Sequence, residues 1–367
     1  MYKILVINPG STSTKIAFYH DHDLAWKEEI KHPSEVIKQY ATIYDQLDMR
    51  TELVEKVTFE DHGEKYEDLS VVMCRGGLVP EYFEEDGTMH RVSAGAYVVD
   101  DYLIDTLFHR PINNHASNLA CAIGDKIAKK AGVKAYIYDP VTVDELDDLV
   151  RITGIRHIKK RGQGHNLNMR AAAKKVCEQK GWDYNTKNLI VAHLGGGSTV
   201  SLHHNGRIVD IVSDDEGQFS PERAGLVPIY LLLAWMKKDN IDPMDMKEIL
   251  SKKGGMIDWF GTADAYEIEK RGIAGDKECE DIYNAMALSI ARAVSRLACY
   301  VGGKVDAIIL TGSIARSKYL IDFFRPYAEW MGPIEVIPGE NEMQALCDAG
   351  VGLLDGTETA KVYGPNM

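Results

Sequence analysis

Lys3-Ile4-Leu5-Val6-Ile7-Asn8-Pro9-Gly10-Ser11-Thr12-Ser13-Thr14-Lys15-Ile16-Ala17-Phe18-Tyr19 and, far downstream, Leu189-Ile190-Val191-Ala192-His193-Leu194-Gly195-Gly196-Gly197-Ser198-Thr199-Val200-Ser201-Leu202 share one grammar. Each is a short apolar run, a turn of small residues, and a second run of β character, which reads as a hairpin. At an offset of 185 residues, Val6 falls on Val191, Gly10 on Gly195, Ser13 on Ser198 and Thr14 on Thr199. Because each copy opens one half of the chain, the pattern reads as an internal duplication. Asn205-Gly206 then supplies a two-residue hairpin signal ahead of Arg207-Ile208-Val209.

Helix and strand signals alternate elsewhere. Residues 118–131 are predicted helical, and Ala135-Tyr136-Ile137-Tyr138 is a predicted buried strand ending at Asp139-Pro140. Over 281–301, apolar residues at Ile282, Ala285, Met286, Ile290, Ala293, Val294, Leu297 and Ala298 have amphipathic-helix spacing, stopped by Gly302-Gly303. A strand over 305–310 then runs into Thr311-Gly312-Ser313. Such alternation implies an α/β protein with helices packed on mixed sheets. No linker rich in Pro, Gly or Ser separates the halves, so two domains facing an interdomain cleft are expected.

Composition narrows the function. Of 367 residues, 45% are hydrophobic and 26% charged, which excludes a disordered or fibrous chain. The net charge of −13 argues against nucleic-acid or anionic-membrane partners, and an anionic ligand would need local arginines to reverse the field. The six cysteines, Cys74, Cys121, Cys177, Cys279, Cys299 and Cys347, form no CxxC pair, so reduced thiols and a cytoplasmic location are expected. The N-terminus enters a strand pattern at once, without the features of a signal peptide. The apolar run 229–236 is too short to span a bilayer.

Neither glycine loop is a GxxxxGK[ST] element or a GxGxxG followed by a helix. They offer hydroxyls, small side chains and exposed backbone N–H groups, a concavity suited to phosphate oxygens. The first adds Lys15, a point charge, together with Asn8, Ser11 and Ser13. Two such loops, one per half, suit the phosphates of a nucleotide.

The string Val6-Ile7-Asn8-Pro9-Gly10-Ser11-Thr12-Ser13-Thr14-Lys15-Ile16-Ala17 resembles the N-terminal signature of butyrate kinases, within the acetate and butyrate kinase family. Further matches follow in order: Arg75-Gly76-Gly77-Leu78, His115-Ala116-Ser117-Asn118-Leu119, Asp139-Pro140-Val141, Arg151-Ile152-Thr153-Gly154, Phe219-Ser220-Pro221-Glu222-Arg223 and Pro338-Gly339-Glu340. The resemblance implies two duplicated actin-like (ribonuclease H-like) domains. Residues 1–150 with a C-terminal helix 340–367 would form the first, on the carboxylate and phosphate side; 151–339 would form the second, on the nucleotide side. It implies reversible phosphoryl transfer from ATP to a short-chain carboxylate with Mg²⁺, giving an acyl phosphate and ADP, in a homodimer or higher homo-oligomer. Carried over residue by residue, Asn8, Ser11, Ser13 and Lys15 line the phosphate path. His193, Gly195, Gly196 and Gly197 hold nucleotide phosphates, while Gly312 and Ser313 lie beside the adenosine. Arg75 grips the substrate carboxylate, and His165 and Arg223 face the phosphoryl in flight. Asp139, with Glu342 or alternatively Glu340, organises the metal through its waters.

The chemistry suits these residue types. A carboxylate is ionised at neutral pH, so the nucleophile needs no general base, and the obstacle is repulsion between two anions. Plainer readings stand beside several assignments. His165 reads as a turn histidine in a solvated loop with Lys159-Lys160-Arg161, His193 as a satisfied core histidine, and Glu340 and Glu342 as helix N-terminal acids. Gly164 stands where the family carries an aromatic, which implies a looser loop or a roomier pocket; Ser313 replaces a second glycine and implies slight crowding of the nucleotide. Asp139-Pro140-Val141-Thr142-Val143 departs from the acetate-kinase form and argues against acetate as the preferred acid. Linear or branched acids of four or five carbons are expected. The rival readings are a kinase of hydroxyl substrates on the same scaffold and a non-catalytic, nucleotide-dependent actin-like assembly protein.

Overall fold

The first hairpin forms as its pattern requires. Strand β1 (Lys3–Pro9) pairs antiparallel with β2 (Ser13–His20), which pairs in turn with β3 (Asp23–Lys31). Ile4, Leu5, Val6 and Ile7 are all buried, the unbroken apolar run of a central strand covered on both faces. β4 (Val71–Arg75) lies parallel to β1; after a short ribbon, β5 (Tyr82–Phe83) with β6 (Met89–His90), come β7 (Ala96–Val98) and β8 (Ala135–Tyr138). The sheet order is β3-β2-β1-β4-β8-β7. The computed structural model describes residues 1–84, 86–213 and 215–365.

The chain divides into two units: Met1–Glu145 with the chain from Asn341 onward, and Leu146–Glu340. The second unit repeats the topology of the first. Its strands β9 (Asn188–Leu194), β10 (Ser198–His204), β11 (Arg207–Val212), β12 (Ala307–Gly312) and β13 (Ile334–Pro338) run in the order β11-β10-β9-β12-β13. In each sheet an antiparallel meander is extended by parallel strands on the far side of its first strand, and the first sheet adds an edge strand, β7, antiparallel to β8. The duplication is therefore real at the level of the fold.

One detail of the overlay is corrected by the strand register. Pro9 pairs with Thr14, but Leu194 pairs with Ser198, so the second turn is one residue shorter. Thr14 consequently stands level with Ser198, and Lys15, opposite Asn8, stands level with Thr199, opposite His193. The constant offset holds for the first strand of each hairpin only.

Helices cover the sheets. Leu119–Ala131 packs on β1, β4 and β8, and Glu342–Asp355 on β1 and β4. In the second unit Asn166–Lys180 packs on β9 and β12, and Lys277–Ala298 on β9 and β10. The last of these begins a turn earlier than its apolar spacing indicates, because Asp276 caps it by accepting the Cys279 N–H. The helix expected to run to the C-terminus stops at Asp355, where Gly356 takes φ 78°. Asn205 and Gly206 both have positive φ, 51° and 79°, as a two-residue hairpin turn demands. All six cysteines are free thiols, and only Cys299 is exposed. Among the described residues no helix is long and apolar enough to cross a membrane.

Two buried histidines make the fold acid-sensitive. His32 bonds Thr14 Oγ1 through Nε2 at 2.8 Å, and burial, with the Arg50 charge second, pushes its pKa down to about 4. His203 bonds Tyr184 Oη and Ser201 Oγ; burial and then Arg170 hold it well below the ordinary value. The unfolded chain takes up these protons near pH 6.5, whereas native His32 does so only near 4 and native His203 well below its ordinary value, so their stabilisation is complete above 6.5 and is lost as pH falls below it. The urea midpoint is therefore expected to fall between pH 7.5 and 5. A flat midpoint over that range would show that both rings protonate within the native fold.

Candidate functional site

In the first unit the expected residues sit at the C-terminal ends of parallel strands, where open α/β sheets bind ligands. Asn8 is near the end of β1, Arg75 ends β4, Asp139 follows β8, and Glu342 opens the last helix. The structure brings these four together. Arg75 Nη1 donates to the Asp139 carbonyl at 2.9 Å, and Arg75 Nη2 lies 3.6 Å from Glu342 Oε1. Asn8 Nδ2 donates to Glu342 Oε2 at 3.1 Å. Asp139 is fully buried with φ 40°, and its Oδ1 accepts the Gly95 N–H at 2.7 Å. Nearby, burial and then the Arg75 charge lower the pKa of His115.

Of the other first-unit residues, Ser11 lies exposed on the turn and Lys15 stands opposite Asn8 in the hairpin. Ser13 Oγ donates to Glu29 Oε1 at 2.8 Å, so that hydroxyl has a protein partner.

In the second unit, His193 near the end of β9 accepts Asn168 Nδ2 at its Nδ1, 2.8 Å away. An imidazole that accepts at Nδ1 carries its proton on Nε2, beside Gly195. The His165 ring stacks on the His193 ring, with centroids 4.0 Å apart and 7° between planes. His165 Nδ1 also meets Thr199 Oγ1 at 3.0 Å. A side chain at Gly196 would run into the Glu222 carboxylate and one at Gly197 into the Arg223 guanidinium, with Cβ distances of 2.4 and 2.6 Å. The carbonyl of Gly196 accepts from Ser220 Oγ at 2.7 Å and from the Glu222 N–H at 3.0 Å. His165, His193, the three glycines and Arg223 therefore form one group.

Gly312 has φ 89°, and a Cβ there would lie 2.2 Å from the Leu194 carbonyl oxygen, so only glycine closes β12 against β9. The next residue, Ser313, lines a cavity of about 430 Å³ with Gly196, Asp264, Tyr266, Arg316 and Lys318.

Three readings of the loop before His165 change. Lys160 is buried and ion-paired to Asp210 at 2.7 Å and Glu216 at 3.1 Å, rather than part of a solvated run. Gly164 makes the loop tight, not roomy, because a Cβ there would lie 2.7 Å from both Ile211 Cδ1 and Thr199 Cγ2. His165 is half-buried and faces His193 instead of ending a surface turn. Asn168, Thr199, Glu222, Asp264 and Arg316 were not among the residues expected at the site. Asp264 carried one legible signal, since it precedes Glu267 by three residues and caps its helix, but capping needs no ligand.

Comparison with known proteins places the chain. The model of the Acetokinase family matches residues 146–322. A probable butyrate kinase of Clostridium botulinum (strain Alaska E43 / Type E3) is 37% identical over 99% of both chains. Probable butyrate kinase 2 of Caldanaerobacter subterraneus subsp. tengcongensis is 38% identical over 99% of this chain and all of its own; butyrate kinase 2 of Clostridium acetobutylicum is 36% identical over 99% of each. Among solved structures, Porphyromonas gingivalis acetate kinase superimposes with a TM-score of 0.77 at 17% identity, covering 96% of this chain and 100% of its own. Entamoeba histolytica acetate kinase gives 0.72 at 16% identity, covering 94% and 97%. These last two likenesses establish the actin-like fold.

The His193 tautomer is directly observable. Nitrogen-15 NMR of the ring is expected to show the Nε2-protonated form in the native protein and a mixture in Asn168→Leu. That variant should also lose about 1–3 kcal/mol of stability through its unsatisfied buried acceptor. A native spectrum with the proton on Nδ1 would contradict the assignment.

Proposed function

The chain belongs to the acetokinase family, and we propose that it transfers the γ-phosphoryl group of ATP reversibly to a short-chain fatty acid: butanoate + ATP = butanoyl phosphate + ADP. The observation that carries this reading is 36–38% identity over 99% of the chain to relatives named as butyrate kinases or probable butyrate kinases. The side chains agree with it. An ionised carboxylate attacks without a general base, so the protein must hold two anions together and stabilise charge spread over three equatorial oxygens. Arg75 binds the acid's carboxylate. Arg223 and His165 bear on the transferring phosphoryl group. His193 donates through Nε2 to nucleotide phosphate, joined by the N–H groups of Gly195, Gly196 and Gly197. Asn8, Ser11, Ser13 and Lys15 serve the phosphate path from the first unit. Gly312 and Ser313 border the adenosine, for which the cavity of about 430 Å³ has room.

The family implies Mg²⁺. Among the described residues no three His, Cys, Asp or Glu side chains converge as a metal cage. Mg²⁺ needs none, since it keeps several waters and takes one or two carboxylates plus phosphate oxygens. Asp139, with one oxygen held by Gly95, and Glu342, tethered by Asn8, fit that role; Glu342 rather than Glu340 shares a unit with Asp139. When bound, the ion neutralises charge developing on the β- and γ-phosphates.

The acid's length is set loosely, because one methylene in an apolar pocket is worth only about 1–3 kcal/mol. A hydroxamate assay with ATP, Mg²⁺ and acetate, propionate, butanoate, isobutyrate and isovalerate is expected to give acyl phosphate with several acids. The maximum should lie at four or five carbons, linear or branched. In the same assay Arg223→Ala should lose about 10²–10³ in turnover while binding ATP nearly normally. No acyl phosphate from any acid discards the reading, and full activity of the variant removes Arg223 from the catalytic set.

The protein works as a homodimer or higher homo-oligomer in the cytoplasm. The free thiols support that compartment. A second copy covers helix Ile229–Asp239, which buries none of its residues and leaves Tyr230 88% and Leu231 69% exposed. Sedimentation should show an assembly that Leu231→Glu dissociates; a monomeric native protein would refute it.

A further inference from the structure

Arg50 is fully buried, and among the described residues it has no carboxylate partner. A buried cation normally needs a paired anion, because desolvation costs several kcal/mol per ion. Here the acceptors are all neutral. Nε and Nη2 donate to Gln46 Oε1 at 3.1 and 2.9 Å. Nη1 donates to the Gly10 carbonyl at 2.9 Å and to Thr14 Oγ1 at 3.1 Å, and Nη2 to the Ser11 carbonyl at 3.3 Å. Burial alone lowers its pKa to about 10, which still leaves it charged at neutral pH.

Apart from Gln46, the acceptors lie on the Gly10–Ser13 turn of the first unit and the start of β2. The turn's remaining carbonyls are captured as well: Thr12 O accepts the His32 N–H at 2.8 Å, and Ser13 O the Gly10 N–H at 2.7 Å. All four carbonyls of the turn thus face protein donors. Among the described residues no acceptor takes the N–H of Ser11 or Thr12. A turn held this way presents N–H groups and withholds carbonyl dipoles, the arrangement that binds anionic oxygens.

We propose that Arg50 is a positioning residue for the polyphosphate of the nucleotide: it fixes the carbonyls of the Gly10–Ser13 turn inward, and its charge is balanced only when phosphate binds above that turn. The inference rests on the proposed reading in that the first-unit turn meets the nucleotide's terminal phosphates. Arg50 itself touches no substrate. Its effect passes through the backbone and through the field of an unpaired charge beneath a short turn, where low dielectric leaves it poorly screened.

The test compares ATP with AMP, which lacks the β- and γ-phosphates, by calorimetry with Mg²⁺ on the full chain. In Arg50→Met, ATP is expected to weaken at least 10-fold more than AMP, the scale of a charge-assisted hydrogen bond. Arg50→Lys, which keeps the charge but not the fork, should recover part of that ratio, and Gln46→Leu should shift it less. A merely structural arginine would lower the melting temperature and leave the ATP-to-AMP ratio unchanged in the folded variants, which overturns the proposal. If Arg50→Met does not fold, the other two variants decide by the same ratio. A native protein that makes no acyl phosphate, yet shows an Arg50-dependent ratio, would remove the proposed reaction and leave this role standing. Acyl phosphate formation with an unchanged ratio would do the reverse.

Discussion

Backbone carbonyls repel anionic oxygens, so a turn that is to bind phosphate, as proposed for both hairpins, has to direct its carbonyls elsewhere. Protein donors engage turn carbonyls in each hairpin. In the first, Arg50 and the N–H groups of His32 and Gly10 take the four carbonyls. In the second, Ser220 and Glu222 take the Gly196 carbonyl, while the Gln218 side chain takes that of Ser198 at 2.7 Å. The donors are unrelated in the two copies, and in the second they engage one turn carbonyl, that of Gly196, and the first of β10, that of Ser198.

The second constraint is charge. With a net charge of −13, the chain cannot rely on its overall field to draw in an anion. Individual cations are held in place instead, Arg75 at the end of β4 and Arg223 in the loop after β11. Arg75 is held by the Asp139 carbonyl and the Glu342 carboxylate. Arg223 lies against Gly197 so closely that a side chain there would displace its guanidinium. In the proposed reaction such restraint would serve as pre-organisation, because reorienting a flexible arginine during the reaction would cost part of its benefit.

The duplication also distributes roles with economy. Asn8 and Lys15 face each other across the first hairpin where His193 and Thr199 do in the second. The same strand positions thus carry an amide and an ammonium in one unit, and an imidazole and a hydroxyl in the other. His193 depends on a residue outside its hairpin, since Asn168 sets which ring nitrogen carries the proton. The loop before His165 is likewise fixed by packing against β10 and β11 and by the buried ion pairs of Lys160.

The sequence by itself determined the two hairpins, their repetition in each half, the α/β alternation, and most strand ends that carry the site. It could do so because apolar periodicity and turn chemistry are local properties of the chain. The family strings then singled out Arg75, Asp139 and Arg223 by type and order, and the residue-by-residue carry-over added His165 and His193. Only the tertiary structure decided what these groups touch. It shortened the second turn by a residue, buried Lys160 and packed the space beside Gly164. It also brought Glu342 to Asn8 across 334 positions of chain. Arg50 lay within an unremarkable helical stretch, Leu47–Glu55, and nothing in its neighbours marks it. Its importance comes from burial and from backbone and hydroxyl acceptors 36 to 40 residues away, and contacts of that range leave no periodic trace in a sequence.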